Sequence, residues 1–454
     1  MGTARREFWG HLTQLSADTW RVFRRLFPQL VALQLLGWLG YGACLRIAAS
    51  LVEWSAWASL VVFSIGFVAV LTAVVLQLRL VGAELGVRQV LPEGAPNDDR
   101  DESVPRLLAL TLLPFLGIYA AFGYVQERAH ELVVASLTQT GVLSSLKILN
   151  QLQPSTRTQI ITVIAVVTGA YAVRRGLDLL HEFTDRRILG LAAAFVEAFF
   201  MLSLILAGGN LITYLKNWFT DRVLAQWVDS WVEGLSNAAA LIKINLPAVI
   251  LAVGNFLNEN LFPFLFKVVS EPIAWLAVAA LIYGSHVLSV AELWRKGEPP
   301  SRAVAKLAER DRRHRARRSS GIGRRAWLEF QEVFLGDIDD KYVPTLQSLR
   351  LVLRTGVLFL AAFVVAHLVV VRLEDLFAYG VQSLIGGQQT EFWYTWGPLV
   401  DLTREVPFQP LRVCLLGVAF AACLARFRAV AEAAETGQIE TPETAIPERE
   451  GTSA

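Results

Sequence analysis

The sequence predicts an all-α, polytopic membrane protein with about eight transmembrane helices arranged as four hairpins, and with amphipathic interfacial helices on both membrane faces. Of the 454 residues, 54% are hydrophobic and only 18% are charged, and the mean hydropathy is +0.45. Soluble domains are seldom so apolar over such a length. Two further observations support this prediction: the chain contains long apolar runs, and its arginines are unevenly distributed.

Eight stretches approach the roughly 20 apolar residues that a helix needs to cross a hydrocarbon core about 30 Å thick. The fourth and eighth are the shortest, and the fourth crosses only if its flanking arginines extend towards the headgroups. In chain order, the predicted spans are Pro28 to Leu45, Ser55 to Leu78, Leu107 to Val125, Gln159 to Val173, Ile188 to Ile212, Pro272 to Leu293, Leu351 to Val371 and Leu411 to Leu424.

The distribution of positive charge predicts the orientation. With both termini in the cytoplasm, the inner segments carry about three times as many lysines and arginines as the outer ones, as cytoplasmic loops do. The first apolar run begins only near Leu30 and no small-residue cleavage site follows it, so we expect the N-terminus to be retained. Arginine exceeds lysine in a chain rich in Ala, Leu and Val. This usage is typical of GC-rich bacteria and predicts a location in the bacterial cytoplasmic (inner) membrane.

Apolar residues near a 3.6-residue period predict helices that lie along the membrane surface. They occur at Phe8 to Phe27 and Trp327 to Ile338 inside, and at Leu215 to Leu241 outside, where a re-entrant or interfacial segment from Leu246 to Phe266 follows. Weaker segments of this kind are Glu131 to Leu152 and Leu376 to Val400. The predicted organisation is therefore a cytoplasmic amphipathic helix (1–27), spans one to six (28–293) with long outer connections (213–271), a basic cytoplasmic loop (294–350), spans seven and eight (351–428), and an acidic, disordered cytoplasmic tail (429–454).

Three ionisable residues inside predicted spans are candidates for function, because charge within a bilayer is costly. Glu197 lies midway along the fifth span, and His286 and His367 lie in the sixth and seventh. If the fifth and sixth helices form an antiparallel hairpin, Glu197 and His286 lie at similar depth and form a proton relay. The alternative is that Glu197 stabilises helix packing and that each histidine bonds to a neighbour.

An arginine cluster lies between the sixth and seventh predicted spans. Interleaved aromatic residues, which would favour nucleic-acid binding, are absent from it, so we expect no nucleic-acid partner. The cluster instead predicts a topology determinant that contacts anionic lipid at the inner leaflet. Its members are Arg312, Arg313, Arg315, Arg317, Arg318, Arg324 and Arg325.

Enzyme motifs are weak in this sequence. "HEFTD" (181–185) lacks the second histidine of a zinc motif, and "GIGRRA" (321–326) follows no strand, so neither predicts a site. Cys44, Cys414 and Cys423 lie in apolar segments without metal-binding spacing, and we expect no cofactor.

Two acidic loop motifs resemble those of membrane aromatic prenyltransferases, which hold Mg²⁺ against a diphosphate. "NDDRD" (97–101) lies between spans two and three, and "DIDD" (337–340) lies between spans six and seven. The resemblance implies metal ligands at Asp98, Asp101, Asp337 and Asp340, although Pro105 stands where the first motif usually has another Asp. The alternative is that both are solvated acidic loops.

The sequence thus favours a non-enzymatic protein that moves or organises lipidic or amphipathic envelope material, or that assembles membrane components. Many spans, amphipathic outer segments and the weak enzyme motifs motivate this hypothesis. One alternative is a membrane-embedded, Mg²⁺-dependent transferase that uses a prenyl diphosphate. Another is a structural or assembly subunit, whose partner is another membrane protein or a second copy of the chain.

Overall fold

A computed structural model describes residues 2–87, 104–142, 145–148, 157–184, 192, 195–206, 262–283, 352–353 and 355–435. Every regular element within these residues is helical, as the composition predicts. The principal helices are α1 (Gly2–Leu51), α2 (Ala56–Glu84), α3 (Val104–Ala121), α4 (Tyr124–Thr140), α5 (Arg157–Thr184), α6 (Phe195–Leu206), α7 (Phe262–Ile282), α8 (Val357–Ile385) and α9 (Thr390–Glu435).

Four of these helices are long and apolar enough to cross a membrane. They are α1, α2, α8 and α9, and they overlap the first, second, seventh and eighth predicted spans. The seventh span was predicted to begin at Leu351, whereas α8 begins at Val357 after Gly356, which has a φ of +118°. The chain is therefore a helical membrane protein. The other four spans, the arrangement in four hairpins and the orientation of the termini remain predictions.

The two prolines at which predicted spans begin lie inside helices. α1 runs for 50 residues through Pro28, so the amphipathic segment 1–27 and the first span are one helix. α7 begins at Phe262, ten residues before the Pro272 that was expected to open the sixth span. α9 likewise continues through three prolines. At 1.5 Å per residue α1 is about 75 Å long, so much of it lies outside a 30 Å hydrocarbon core.

The third predicted span is shorter than expected. α3 ends at Ala121, and a turn follows in which Gly123 has a φ of +86° before α4 begins. A left-handed residue interrupts a helix, and glycine adopts this conformation without steric cost. The prediction of one continuous span from Leu107 to Val125 was wrong at its C-terminal end.

The described residues fall into two compact units. The first comprises 1–32, 76–102 and 273–454, and its clearest feature is the antiparallel hairpin of α8 and α9. A turn of four residues, Gly386 to Gln389, joins the two helices. Phe377 packs against Phe408 near this turn, with ring centroids 5.6 Å apart.

The same unit contains a close crossing of three helices around Tyr283. The Tyr283 ring is stacked on Phe420 of α9 at 5.0 Å. Gly82 of α2 and Gly417 of α9 border this ring: a Cβ atom at Gly82 would lie 2.9 Å from Cδ1 of Tyr283, and one at Gly417 would lie 2.8 Å from its hydroxyl oxygen. The two glycines therefore permit the close approach, as small residues do in membrane helix packing.

The first half of α1 is attached to this unit at several points. Arg25 forms an ion pair with Glu84 of α2 at 2.6 Å. Nearer the N-terminus, Nη2 of Arg426 on α9 lies 2.6 Å from Nε2 of His11, and its guanidinium lies 4.5 Å from the Phe359 ring centroid. A neutral imidazole accepts such a hydrogen bond, so the contact joins α1 to the α8–α9 hairpin.

The second unit comprises 33–75 and 103–272, and it is built around an aromatic cluster. Its ring contacts link Tyr41, Phe63, Phe67, Phe115 and Tyr119 from α1, α2 and α3. The Tyr41 hydroxyl donates to the carboxylate of Glu131 on α4 at 2.8 Å, and this carboxylate also accepts from Arg128. The polar end of Tyr41 is thereby satisfied while its ring is buried, as usual for tyrosine.

Candidate functional site

Glu197, the clearest candidate from the sequence, is buried in the second unit and faces Arg174. An Nη2 atom of Arg174 on α5 lies 3.6 Å from Oε1 of Glu197 on α6. Only 6% of Arg174 and 3% of Glu197 are exposed. The predicted relay paired Glu197 with His286, which lies outside the described residues, so the structure supplies a charged partner that the sequence analysis did not consider.

A second contact fixes how α5 and α6 run. Tyr171 packs against Phe200 at 5.9 Å, one turn from the ion pair on each helix. Tyr171 lies three residues before Arg174 on α5, whereas Phe200 lies three residues after Glu197 on α6. The two helices are therefore antiparallel. The two charges therefore lie at one depth.

This contact also gives the level of Glu197 along α5. The apolar part of α5 ends at Val173, and Arg174 and Arg175 follow it. Because Glu197 lies beside Arg174, it is at the level where the apolar part of α5 ends. The buried carboxylate is the counter-charge of that arginine.

His367, the second described candidate, lies on the face of α8 that packs against α9. It is buried, and its ring centroid lies 6.3 Å from that of Phe363. Its Nδ1 atom is buried and forms no hydrogen bond with any residue that the structure describes.

The other predicted site residues lie outside the described residues. They are His286, the arginine cluster (Arg312, Arg313, Arg315, Arg317, Arg318, Arg324, Arg325), and the acidic residues Asp98, Asp101, Asp337 and Asp340 of the prenyltransferase resemblance. The predicted interfacial helices Leu215 to Leu241 and Trp327 to Ile338, the first sixteen residues of the re-entrant segment (246–261) and the tail beyond 435 also lie outside them.

A carboxylate that the sequence analysis missed is held by two arginines within the α8–α9 hairpin. Glu374 is 7% exposed and forms ion pairs with Arg412 and, at 3.6 Å, with Arg404. We call Glu374, Arg404 and Arg412 the charged clasp. The neighbouring pair of Arg372 and Asp375 is exposed, so the clasp differs from it in being packed between the helices.

Beyond the clasp, the hairpin exposes apolar side chains. Four of them, which we call the tip surface, are Tyr379 (73% exposed), Leu384 (89%), Trp396 (51%) and Leu399 (43%). From Asp375 to the end of α8 at Ile385 the helix extends about 15 Å. Since α8 has 29 residues and about 20 suffice to cross, this end of the hairpin projects past the hydrocarbon core.

The helices and these sites define a helical membrane protein with two buried charge clusters. Among the described residues, no group of three or more His, Cys, Asp and Glu side chains is arranged to hold a metal ion. Comparisons with protein-family models, curated proteins and solved structures found no match to this chain.

Substitution of Glu374 by alanine tests the clasp. We expect a loss of stability of about 2 kcal/mol, since two guanidinium groups lose a buried charged acceptor while keeping partial access to water. Asp375→Ala is the matched control on the same helix, and we expect a change of at most about 1 kcal/mol because the Arg372–Asp375 pair is exposed. Thermal unfolding of the purified variants in one detergent measures the difference, and equal destabilisation by the two substitutions would contradict it.

Proposed function

We propose that this chain is a non-enzymatic protein of the bacterial cytoplasmic membrane that moves or organises lipidic or amphipathic envelope material. We further propose that the tip surface of the α8–α9 hairpin is where this material is bound. With both termini in the cytoplasm, as the charge distribution predicts, this surface belongs to the outer face.

The observation that carries the proposal is the exposure of large apolar side chains on a projecting part of the hairpin. Leu384 at the end of α8 and Trp396 near the start of α9 are on either side of a four-residue turn, and each is more than half exposed. Large apolar side chains that are exposed on a protein often take part in its interaction with a protein, a membrane or an apolar ligand. Trp and Tyr favour the boundary between water and lipid.

The clasp supports this use of the hairpin. It fixes α8 against α9 just before the tip, so the apolar residues beyond it are carried by a braced pair of helices. A rigid support for an exposed apolar surface reduces the conformational entropy that is lost when a ligand binds. The surface is therefore suited to repeated binding of amphipathic molecules.

Substitution of the tip by polar residues tests the proposal. Wild-type protein is reconstituted into phospholipid vesicles that contain a fluorescent NBD-labelled phospholipid, and dithionite quenching reports movement of the label between leaflets. We expect the wild type to accelerate this movement over protein-free vesicles, and Leu384→Gln with Trp396→Gln to slow it at least tenfold. Because both side chains are exposed, the variant should fold normally.

The matched control changes the same positions while keeping them apolar. Leu384→Met with Trp396→Phe is expected to retain the wild-type rate. If wild-type protein moves the label no faster than protein-free vesicles do, lipid movement is excluded. If the Gln variant matches the wild type, the tip surface has no part in the activity.

The same surface supports a second candidate function, that of an assembly subunit. An exposed apolar surface on a projecting hairpin also fits a membrane-protein partner. Native mass spectrometry after mild extraction distinguishes the two. A partner that is retained by the wild type and the Met/Phe variant, but lost from the Gln variant, would favour assembly; recovery of the chain alone in all three would count against it.

A further inference from the structure

The exposed face of α1 contains a notch lined by arginines and a tryptophan. The notch has a volume of about 470 Å³ and is lined by Ala17, Trp20, Arg21, Arg24 and Arg25. All five residues are exposed, whereas the opposite face of α1 is buried in the first unit. The notch is therefore accessible from outside the protein.

Helix geometry explains why a notch forms here. Side chains on an α-helix lean towards its N-terminus, so Trp20, Arg21 and Arg24 extend over the preceding turns. Ala17 lies three and four residues before Trp20 and Arg21, on the same face, and its methyl group leaves the space between them open. The small residue forms the floor, and the long side chains form the walls.

The charge balance of the notch is positive. Arg21 pairs with Asp18 at 3.0 Å, and Arg25 pairs with Glu84 at 2.6 Å. Among the residues that the structure describes, no carboxylate forms an ion pair with Arg24. Two of the three guanidinium charges are thus compensated, and Arg24 leaves one positive charge over the notch.

The position of the notch on α1 indicates which ligand it meets. Arg24 precedes Pro28, where the apolar part of α1 begins, by four residues, or about 6 Å of helix. The notch therefore lies at the level of lipid headgroups when the apolar part of α1 crosses the membrane. Tryptophan favours this level, and arginine binds phosphate through two parallel hydrogen bonds.

We propose that the notch binds the phosphate headgroup of an acidic phospholipid, in the leaflet that faces the N-terminal half of α1. Arg24 and Arg21 hold the phosphate, and Trp20 packs against the glycerol backbone. The site is separate from the proposed tip surface, which lies on another helix pair, and it does not depend on the proposed activity.

The test measures lipid retention by native mass spectrometry of the full-length protein in detergent. The protein is titrated with phosphatidylglycerol or with phosphatidylcholine of the same acyl chains. We expect wild type to retain phosphatidylglycerol preferentially, and Arg21→Gln with Arg24→Gln to weaken this preference on the order of tenfold. Arg5→Gln with Arg6→Gln is the matched control: it removes the same charge from the same helix outside the notch, and it should leave the preference unchanged.

A second variant separates the shape of the notch from its charge. Ala17→Trp fills the floor without altering any charge, and it should lower the preference as much as the two-arginine variant does. The proposal would be overturned if the Arg5/Arg6 control lost the preference for phosphatidylglycerol equally, or if Ala17→Trp kept it in full. Either result would leave only general electrostatic attraction. Displacement of the lipid by millimolar glycerol 3-phosphate would show that the notch takes soluble phosphate esters instead, and would also overturn the proposal.

Discussion

Replacing Glu197 by leucine is expected to destabilise the protein by about 3–5 kcal/mol, the usual cost of removing one member of a buried ion pair. The cost is high because the guanidinium of Arg174, which is 6% exposed, keeps its charge under all ordinary conditions. Arg174→Met is also expected to destabilise the protein, since it removes the charge opposite the buried carboxylate of Glu197. Thermal unfolding of the wild type and the two single variants in one detergent measures the order of their stabilities.

The double variant Arg174→Met with Glu197→Leu is the informative control. It removes both charges and keeps similar side-chain volumes, so we expect it to be more stable than Glu197→Leu and close to the wild type. If the double variant loses as much as the sum of the single ones, the two residues act independently and the contact contributes little. This test also bears on the hypothesis that Glu197 belongs to a proton relay, because a function that is lost in a stable double variant depends on the charges and not on the stability of the fold.

Replacing Gly417 by leucine is expected to have the second large effect, an overpacking cost of about 3 kcal/mol. A side chain at this position meets Val81 and the hydroxyl of Tyr283, and both are fully or almost fully buried. Tyr283 is stacked on Phe420 with ring centroids 5.0 Å apart, and only 6% of it is exposed. Gly82→Leu should act in the same way from the other side of the ring.

Two further variants test whether overpacking around Tyr283 is the cause of this destabilisation. Gly380→Leu, on an open part of α8, should be neutral or slightly stabilising, because leucine favours the helix and no atom lies near the new Cβ. Combining Tyr283→Ala with Gly82→Leu should cost less than the sum of the two single changes, since the leucine occupies the space that the ring leaves. Additive losses would show that the glycines matter for another reason.

Proline accounts for much of the difference between the predicted and the described helices. The first and sixth predicted spans begin at Pro28 and Pro272, and proline often lies at a helix boundary because it lacks an amide hydrogen and disfavours a helix before it. Both lie inside helices, as do Pro398, Pro407 and Pro410 of α9. In a packed membrane helix neighbouring groups satisfy the carbonyls that proline frees, so its presence alone did not locate an end.

The helical class was predictable because it depends on summed hydrophobicity, which needs no knowledge of contacts. The partner of Glu197 was not predictable. The sequence gives the position of a residue along its helix, but it does not give the neighbouring helix that the residue faces. Arg174 was assigned to the end of a span and Glu197 to the middle of the next. Only the antiparallel packing of α5 against α6 brings them to one level.

Glu374 was missed for a different reason. It stands between Arg372 and Asp375, and this charged stretch resembled the start of an outer loop. The available signal was its spacing of seven residues from His367, which places both on one face of a helix. That signal becomes informative only when α8 is known to continue to Ile385.

The turn at Gly386 to Gln389 has a consequence for biogenesis. Four residues connect a helix of 29 residues to one of 46, so closing the loop costs little chain entropy. Contacts such as Phe377 with Phe408 form within the hairpin itself and need no other part of the chain. The clasp neutralises Glu374 within the same hairpin, without help from the rest of the chain. We therefore expect α8 and α9 to enter the membrane together as one preassembled pair, rather than as two helices inserted in succession.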